Sequence, residues 1–402
     1  MGDYKDIRIF SFDNGGMHSQ TVLDEYEKRF NGPSSIILPF NIYGDYNAFV
    51  VYNEIMVKYI SSIYNINTQI EKELKNVPRE AYKEYIISSL IEEIQQSNEF
   101  ENVESTRQEI KNAYDNLDKN ITKRFYGMVN KYNILLSGSK IDLFSSSDVR
   151  TLYNDFVLNE VVEENPLDYP DGEIFRKEMV HIYGRGQDSI HDGLYPETKI
   201  IESMDQALHV LNDDEKDVLI RVAIFHFMFG YIHPFYNGNG RMSRFISSYM
   251  LSQVLNLAVC LRISYIIKEN RSKYHKMFKD AEDKRNMGEL TSFVNDFLEL
   301  IFQACVDVKD DIHEKTELYQ IMKFKLDKVL EDNKDIASKY NKVFYFILEK
   351  SIFIGNGATI EDIAKYSGFS RITINSLLEK GTSFLHKRKD GRTNYWLIRF
   401  KD

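Results

Sequence analysis

The chain has 402 residues, of which 43% are hydrophobic and 28% charged, the composition of a globular protein with two to three domains at about 150 residues each. Sixty-one acidic against 51 basic side chains give a net charge of −10, which argues against a protein whose whole surface binds nucleic acid or anionic membrane. Twenty Gly and 7 Pro supply few turns, so a mainly helical fold is expected rather than a many-stranded sandwich.

Met1 to Phe10 carries Asp3, Lys5, Asp6 and Arg8 and has no apolar run of the kind that marks a signal peptide. Asp6 also stands where a myristoylation motif needs Ser or Thr. Residues 1–45 have mixed character and receive no assignment. From Tyr46 to about Asn130 the spacing predicts helix, with Ala48, Val51, Ile55 and Ile60, then Tyr85, Leu90, Ile91 and Ile94, near helical period. Pro166 to Gly193 breaks the pattern with Asp171-Gly172, the alternating run Glu178-Met179-Val180-His181-Ile182, and Gly184 and Gly186, which predicts a small β-hairpin flap.

Helical period resumes near Glu215 and lasts to about Leu330. The most apolar window, Val218 to Phe235, is interrupted by Arg221, His226 and His233, so it predicts a buried core helix and not a bilayer span, which needs about 20 mostly apolar residues. Cys260 and Cys305 form no disulfide framework and fit a reducing compartment. The chain therefore reads as cytoplasmic with no membrane partner. Lys309 to Asp335 is strongly charged and is expected to be a solvated connecting helix.

The last sixty residues change character. Val343 to Lys350 reads as a short helix, Thr359-Ile360-Glu361-Asp362 offers the cap of a second, and Ser370 the cap of a third that Gly381 closes. Phe384 to Arg388 and Thr393 to Ile398 flank Asp390-Gly391, a hairpin turn. That order is a winged-helix pattern. From Arg371 onward eight basic residues face three acids, so a tail of +5 follows a body of −15.

The chemistry concentrates in His233-Pro234-Phe235-Tyr236-Asn237-Gly238-Asn239-Gly240-Arg241-Met242-Ser243-Arg244. Pro234 biases His233 out of the α region, so the preceding helix must stop and present the imidazole at its end. Gly238 and Gly240 strip side chains from a tight loop, leaving backbone N–H groups free to converge on an anion where the next helix begins. Arg241 and Arg244, three apart, can reach one polyphosphate. A base, a phosphate cradle and two cations within twelve residues describe group transfer on a nucleotide.

The run His-Pro-Phe-x-x-Gly-Asn-Gly-Arg-x-x-Arg resembles the signature of Fic-domain proteins. The resemblance extends over roughly Lys140 to Ile301, with echoes at His191-x-Gly193, Pro196-Glu197 and Asn270-Arg271-x-x-Tyr274. It implies a helical Fic fold with a β-hairpin flap, and transfer of AMP from ATP, with Mg2+ or Mn2+, to a Ser, Thr or Tyr hydroxyl of a protein, including this chain itself. On that resemblance His233 is the general base, Gly238, Asn239 and Gly240 form the anion hole for the α- and β-phosphates, Arg241 holds the β-phosphate side, Arg244 takes the γ-phosphate, and buried Phe235 anchors the loop. Ile190 and His191 of the flap would dock the target backbone by strand addition.

One departure stands out. The family places Asp or Glu, as the metal ligand, where this chain has Asn237, and a neutral amide is a poorer Mg2+ ligand than a carboxylate. Slower transfer, an altered metal or nucleotide preference, or a nucleotide-binding regulator without transferase activity all remain open, as does a donor carrying another phosphate-linked group. Upstream, Ser97-x-x-x-Glu101-Asn102 is similar to the Fic inhibitory motif, which implies that Glu101 pairs with Arg244 and takes the γ-phosphate position. The implied division is 1–125 as an N-terminal helical region with this motif, 126–308 as the catalytic core, 309–335 as a linker helix and 336–402 as the winged helix. In the tail, Ile374, Leu377 and Leu378 would face the core. Arg371 and Asn375, with Lys387, Arg388, Lys389 and Arg392 on the wing, would contact DNA, and a packing or homodimer role is the competing reading.

Overall fold

Helices dominate the molecule, as the scarcity of turn residues implies. A computed structural model describes residues 4–42, 46–119, 123–183, 189–332, 334–381, 383–391 and 393–400. Two compact units divide the chain, one of residues 1–65 and 90–305, the other of 66–89 and 306–402.

At the centre of the first unit, helix Val218–Ile232 is buried almost all round. Each fully buried Phe or Ile along it contributes about 1.5–3 kcal/mol. Its two polar interruptions are explained by their partners. Arg221 donates to the Leu211 carbonyl at 2.9 Å. His226 is fully buried between Ser247 (2.9 Å) and Tyr274 (2.6 Å), and burial, with Arg244 nearby, holds its pKa down at about 3, so the imidazole is neutral. Helices Glu197–Leu211 and Asn239–Leu251 pack on this core.

The expected helix over 46–130 is wrong at its start. Tyr46–Val51 is a strand paired antiparallel with Ser35–Ile42, and helices occupy Glu54–Leu74, Arg79–Phe100, Arg107–Tyr114 and Tyr126–Ser137 instead. Ala48, Phe49 and Val50 are all buried, so this strand shows no two-residue alternation and cannot be told from a helix by period. The flap is smaller than the break that announced it: His181–Tyr183 pairs with Ser189–Asp192, while Gly184 and Gly186 lie outside the described residues. Asp171-Gly172 belongs to a separate turn, whose N–H groups at Glu173, Ile174 and Phe175 all donate to the Glu197 carboxylate.

In the second unit the charged segment 309–335 is not a separate solvated helix. It continues a 42-residue helix, Thr291–Asp332, and buries Ile312, Tyr319, Leu326 and Leu330 along one stripe. The tail holds helices Lys334–Glu349, Ile360–Ser367 and Arg371–Lys380, then strands Leu385–Asp390 and Thr393–Ile398. Thr359 and Asp362 form a capping box, Ser370 accepts from the Thr373 N–H, and Asp390 pairs with Thr393 across a two-residue turn. Ile374, Leu377 and Leu378 are buried.

Within the first unit, the end of the Arg79–Phe100 helix makes a set of polar contacts. Arg262 pairs with Glu92 at 3.0 Å, and Lys268 bonds Gln96 and Glu99. Fully buried Glu93 accepts from the Ser264 N–H (2.9 Å), the Ser264 hydroxyl (2.6 Å) and the Tyr132 hydroxyl (3.3 Å). Burial outweighs these donors and pushes its pKa up to about 7. A carboxyl whose folded pKa is raised stabilises the fold below the unfolded value and loses that contribution as pH rises through the folded one. Glu93→Gln should therefore gain stability relative to the parent between pH 4.5 and about 7, by up to about 3 kcal/mol. Paired thermal melts across that range test it, and a difference independent of pH would refute the assignment.

Candidate functional site

The core helix ends where Pro234 requires, and His233 sits at its C-cap in the left-handed region (φ 51°), with its N–H donating to the Phe229 carbonyl at 3.0 Å. A residue other than glycine at such a φ must be held there. Arg176 is the clamp. Its guanidinium is fully buried and donates to the carbonyls of His233 (2.9 Å), Glu178 (2.6 Å), Leu194 (2.9 Å) and Ile232 (3.4 Å). One side chain thus closes the carbonyl end of the helix and ties it to the segment that leads into the flap.

The loop after His233 is braced from within. Phe235 is fully buried, stacked on Tyr153 at 3.7 Å between ring centroids and edge-on to Phe175. The Asn239 side chain accepts from the Phe235 N–H (3.0 Å) and donates to the Phe235 carbonyl (2.7 Å), so it spends both ends on loop closure. Tyr153 donates its hydroxyl to the Asn237 carbonyl at 3.1 Å. Gly238 turns with φ 83° to start helix Asn239–Leu251, leaving the first N–H groups of a 13-residue helix facing outward from its N-terminus.

Arg241 and Arg244 follow on that helix, both fully buried. Arg241 approaches Asn237 Oδ1 at 3.5 Å and Glu164 at 4.0 Å, but its Nε and Nη1 have no partner among the described residues. Burial lowers its pKa, opposed by Glu164 and Glu101. Two unpartnered nitrogens on a buried cation make a strong demand for an anion.

Arg244 is better served. Its Nε donates to the Ser97 hydroxyl (3.0 Å), and its Nη2 donates to the Ser97 carbonyl (2.9 Å) and to Glu101 Oε1 (2.8 Å). The guanidinium lies over the Phe100 ring at 4.9 Å, which Arg271 also contacts at 4.7 Å while donating to the Phe100 carbonyl. Burial alone would raise the pKa of Glu101; Arg244, with Arg241 and His233, overrides it and keeps the carboxylate charged. A Cβ added at Gly240 would lie 2.0 Å from Glu101 Oε1, so the carboxylate needs the glycine to reach its place.

Asn102 explains how that place is reached. The Arg79–Phe100 helix ends with Asn102 left-handed (φ 60°), the Asn102 N–H bonded to the Glu99 carbonyl and the Val103 N–H to the Asn98 carbonyl. This is the Schellman arrangement, which favours Gly or Asn at the left-handed position.

The structure thus gathers Ser97, Glu101, His233, Asn237, Gly238, Asn239, Gly240, Arg241 and Arg244 in the first unit. Ile190 and His191 lie on the second flap strand, with His191 opposite Ile182. The tail residues are in the other unit. There Arg371 pairs with Glu361 (2.6 Å), Lys387 lies over Trp396, Arg388 donates to Asn356 (2.8 Å), Asn375 and Lys389 are exposed, and Arg392 lies outside the described residues.

Sequence reasoning missed Arg176, Tyr153 and Asp168. No local signal marks Arg176 as buried, because its partners are carbonyls up to 57 residues away. Lysine cannot reproduce its planar fork. Arg176→Lys should lower unfolding stability by about 2 kcal/mol or more, from carbonyls left unpaired. Urea denaturation reads this directly, and an unchanged midpoint would show that the clamp is dispensable.

Residues 144–251 match the family model described as Fic/DOC family. A Fic family protein from Desulfovibrio desulfuricans is 17% identical, with a TM-score of 0.51 over 91% of this chain and 99% of that one, a likeness of fold. Lower-scoring likenesses are Fic-1 from C. elegans (16% identity, 65% of this chain and 73% of that one, TM-score 0.42) and a Fic domain containing signaling protein from Bacteroides thetaiotaomicron (16%, 63% and 97%, TM-score 0.43). Residues 144–251 of this chain form a Fic/DOC family domain.

Proposed function

We propose that this protein transfers AMP from ATP to the hydroxyl of a protein side chain and that Glu101 holds the activity down. The observation that carries this reading is the state of the two buried arginines. Among the described residues Arg241 has unpaired N–H groups beside the N-terminus of helix Asn239–Leu251, and Arg244 is engaged at 2.8 Å by the carboxylate of Glu101, just past the end of helix Arg79–Phe100. A polyphosphate satisfies the first demand, and its terminal phosphate competes with Glu101 for the second.

In the transfer, the target hydroxyl oxygen attacks the α-phosphorus, pyrophosphate leaves, and His233 takes the hydroxyl proton. The Arg176 clamp holds the backbone that carries His233, and the outer edge of the flap would receive the target chain as an added strand. A divalent cation, when bound, supplies charge neutralisation on the phosphates. The target is a Ser, Thr or Tyr hydroxyl, with this chain itself the first to examine.

Incubation of the full chain with α-labelled ATP and Mg2+ or Mn2+ tests the proposal. Glu101→Gly should raise label incorporation about 5- to 150-fold, the usual range for a coupled inhibitory contact. Adding His233→Ala should remove it by about a hundredfold or more. An unchanged rate in Glu101→Gly at saturating ATP counts against inhibition by Glu101. Label that survives His233→Ala counts against its role as base.

A second reading concerns the tail, which we propose contacts DNA as a winged helix. Its support is the local charge of +5 and the exposure of Asn375, Lys387 and Lys389. In the full chain, Lys387→Glu with Lys389→Glu should weaken duplex binding and flatten its salt dependence by about two phosphate contacts. Fluorescence anisotropy measures both, and no binding of the parent at low salt would remove the DNA reading.

A further inference from the structure

The side chain at position 237 has its two ends committed to different partners. The Gly238 N–H donates to Asn237 Oδ1 at 2.6 Å, and Arg241 reaches the same oxygen at 3.5 Å. Both are donors, so the oxygen end of the amide is identified by its surroundings. The other end, Nδ2, donates to Asp168 Oδ2 at 3.2 Å. Asp168 closes the short turn Pro166–Asp168, where its Oδ1 accepts from Asn165 Nδ2 at 2.8 Å. An ionised carboxylate offers about four acceptor sites, so each Asp168 oxygen keeps one beyond these contacts.

A carboxylate at 237 would confront Asp168 across the distance the amide now bridges, and two carboxylates that close do not both stay ionised. Asn237 turns that conflict into a hydrogen bond. One negative group stands beside the anion hole in either arrangement, but here it belongs to residue 168.

We propose that Asp168, oriented by Asn237, supplies the protein carboxylate for the divalent cation that accompanies the nucleotide phosphates. This rests on the nucleotide reading given above. Among the described residues no group of three or more His, Cys, Asp or Glu side chains is placed to hold a metal. That suits a hard cation bound through one carboxylate plus phosphate oxygens and water. Arg241 is the group toward which the phosphates would be drawn: it is buried, contacts Asn237 and retains two nitrogens unpaired among the described residues. Asn237 is then a positioning residue, its own oxygen held by the Gly238 N–H.

Calorimetric titration of the full chain with ADP, with and without Mg2+, tests this. ADP lacks the phosphate with which Glu101 would compete. In the parent, Mg2+ should tighten ADP binding by about tenfold or more, the scale of losing or gaining a metal-site partner. Asp168→Asn should abolish that gain while changing metal-free ADP affinity by less than about twofold. The exchange Asp168→Asn with Asn237→Asp should restore it, because the carboxylate returns on the other residue. A full Mg2+ gain in Asp168→Asn overturns the proposal, as does an exchange variant that folds but regains nothing. If the parent binds no ADP under either condition, the nucleotide reading itself falls, and the metal proposal with it.

Discussion

Two guanidinium groups buried three residues apart on one helix are the constraint around which the first unit is arranged. Both are shielded from solvent and each repels its neighbour, so the surrounding elements must supply acceptors or negative charge. Arg244 obtains them from Ser97, Glu101 and the ring of Phe100. Arg241 obtains them only in part, from Asn237 and a distant Glu164. The unequal provision is informative. Arg244 is paired with a carboxylate at 2.8 Å and leaves only Nη1 without a partner among the described residues, while Arg241 leaves both Nε and Nη1.

A third arginine works in the opposite sense. Among the described residues Arg176 meets no carboxylate and donates to four backbone carbonyls, holding the last turn of the core helix, the left-handed His233 and the approach to the flap in one cluster. Tyr153 and Asn239 brace the loop from its other side. The imidazole therefore rests on side chains that have no chemistry of their own, which is how a precise site is usually supported.

Much of this architecture was legible because local punctuation is strong. Pro234 and Gly238 bracket the loop between two apolar helices, and Thr359, Ser370 and Asp390-Gly391 mark the tail elements one by one. Glu101 and Arg244 could both be named from short motifs, and the pairing that the resemblance implies is present at 2.8 Å. Legibility failed where meaning depends on a distant partner or on full burial. The strand at Tyr46–Val51 hides its period because both faces are covered. Arg176 and Asp168 look like ordinary surface charges until the carbonyls of one and the amide facing the other are seen. The helix over 309–332 looks solvated because its buried stripe is narrow, made of Ile312, Thr316, Tyr319, Leu326 and Leu330 among many charged side chains.

The left-handed residue after Glu101 carries a consequence for how such a contact evolves. The carboxylate reaches Arg244 because the helix unwinds at a fixed point, and that point is set by the torsion at Asn102. Glycine adopts this torsion freely, asparagine at a modest cost, and β-branched residues at a severe one. The strength of the grip on Arg244 is thereby open to graded adjustment through a backbone angle. A lineage can loosen or tighten the Glu101–Arg244 contact through residue 102 and leave the carboxylate itself untouched.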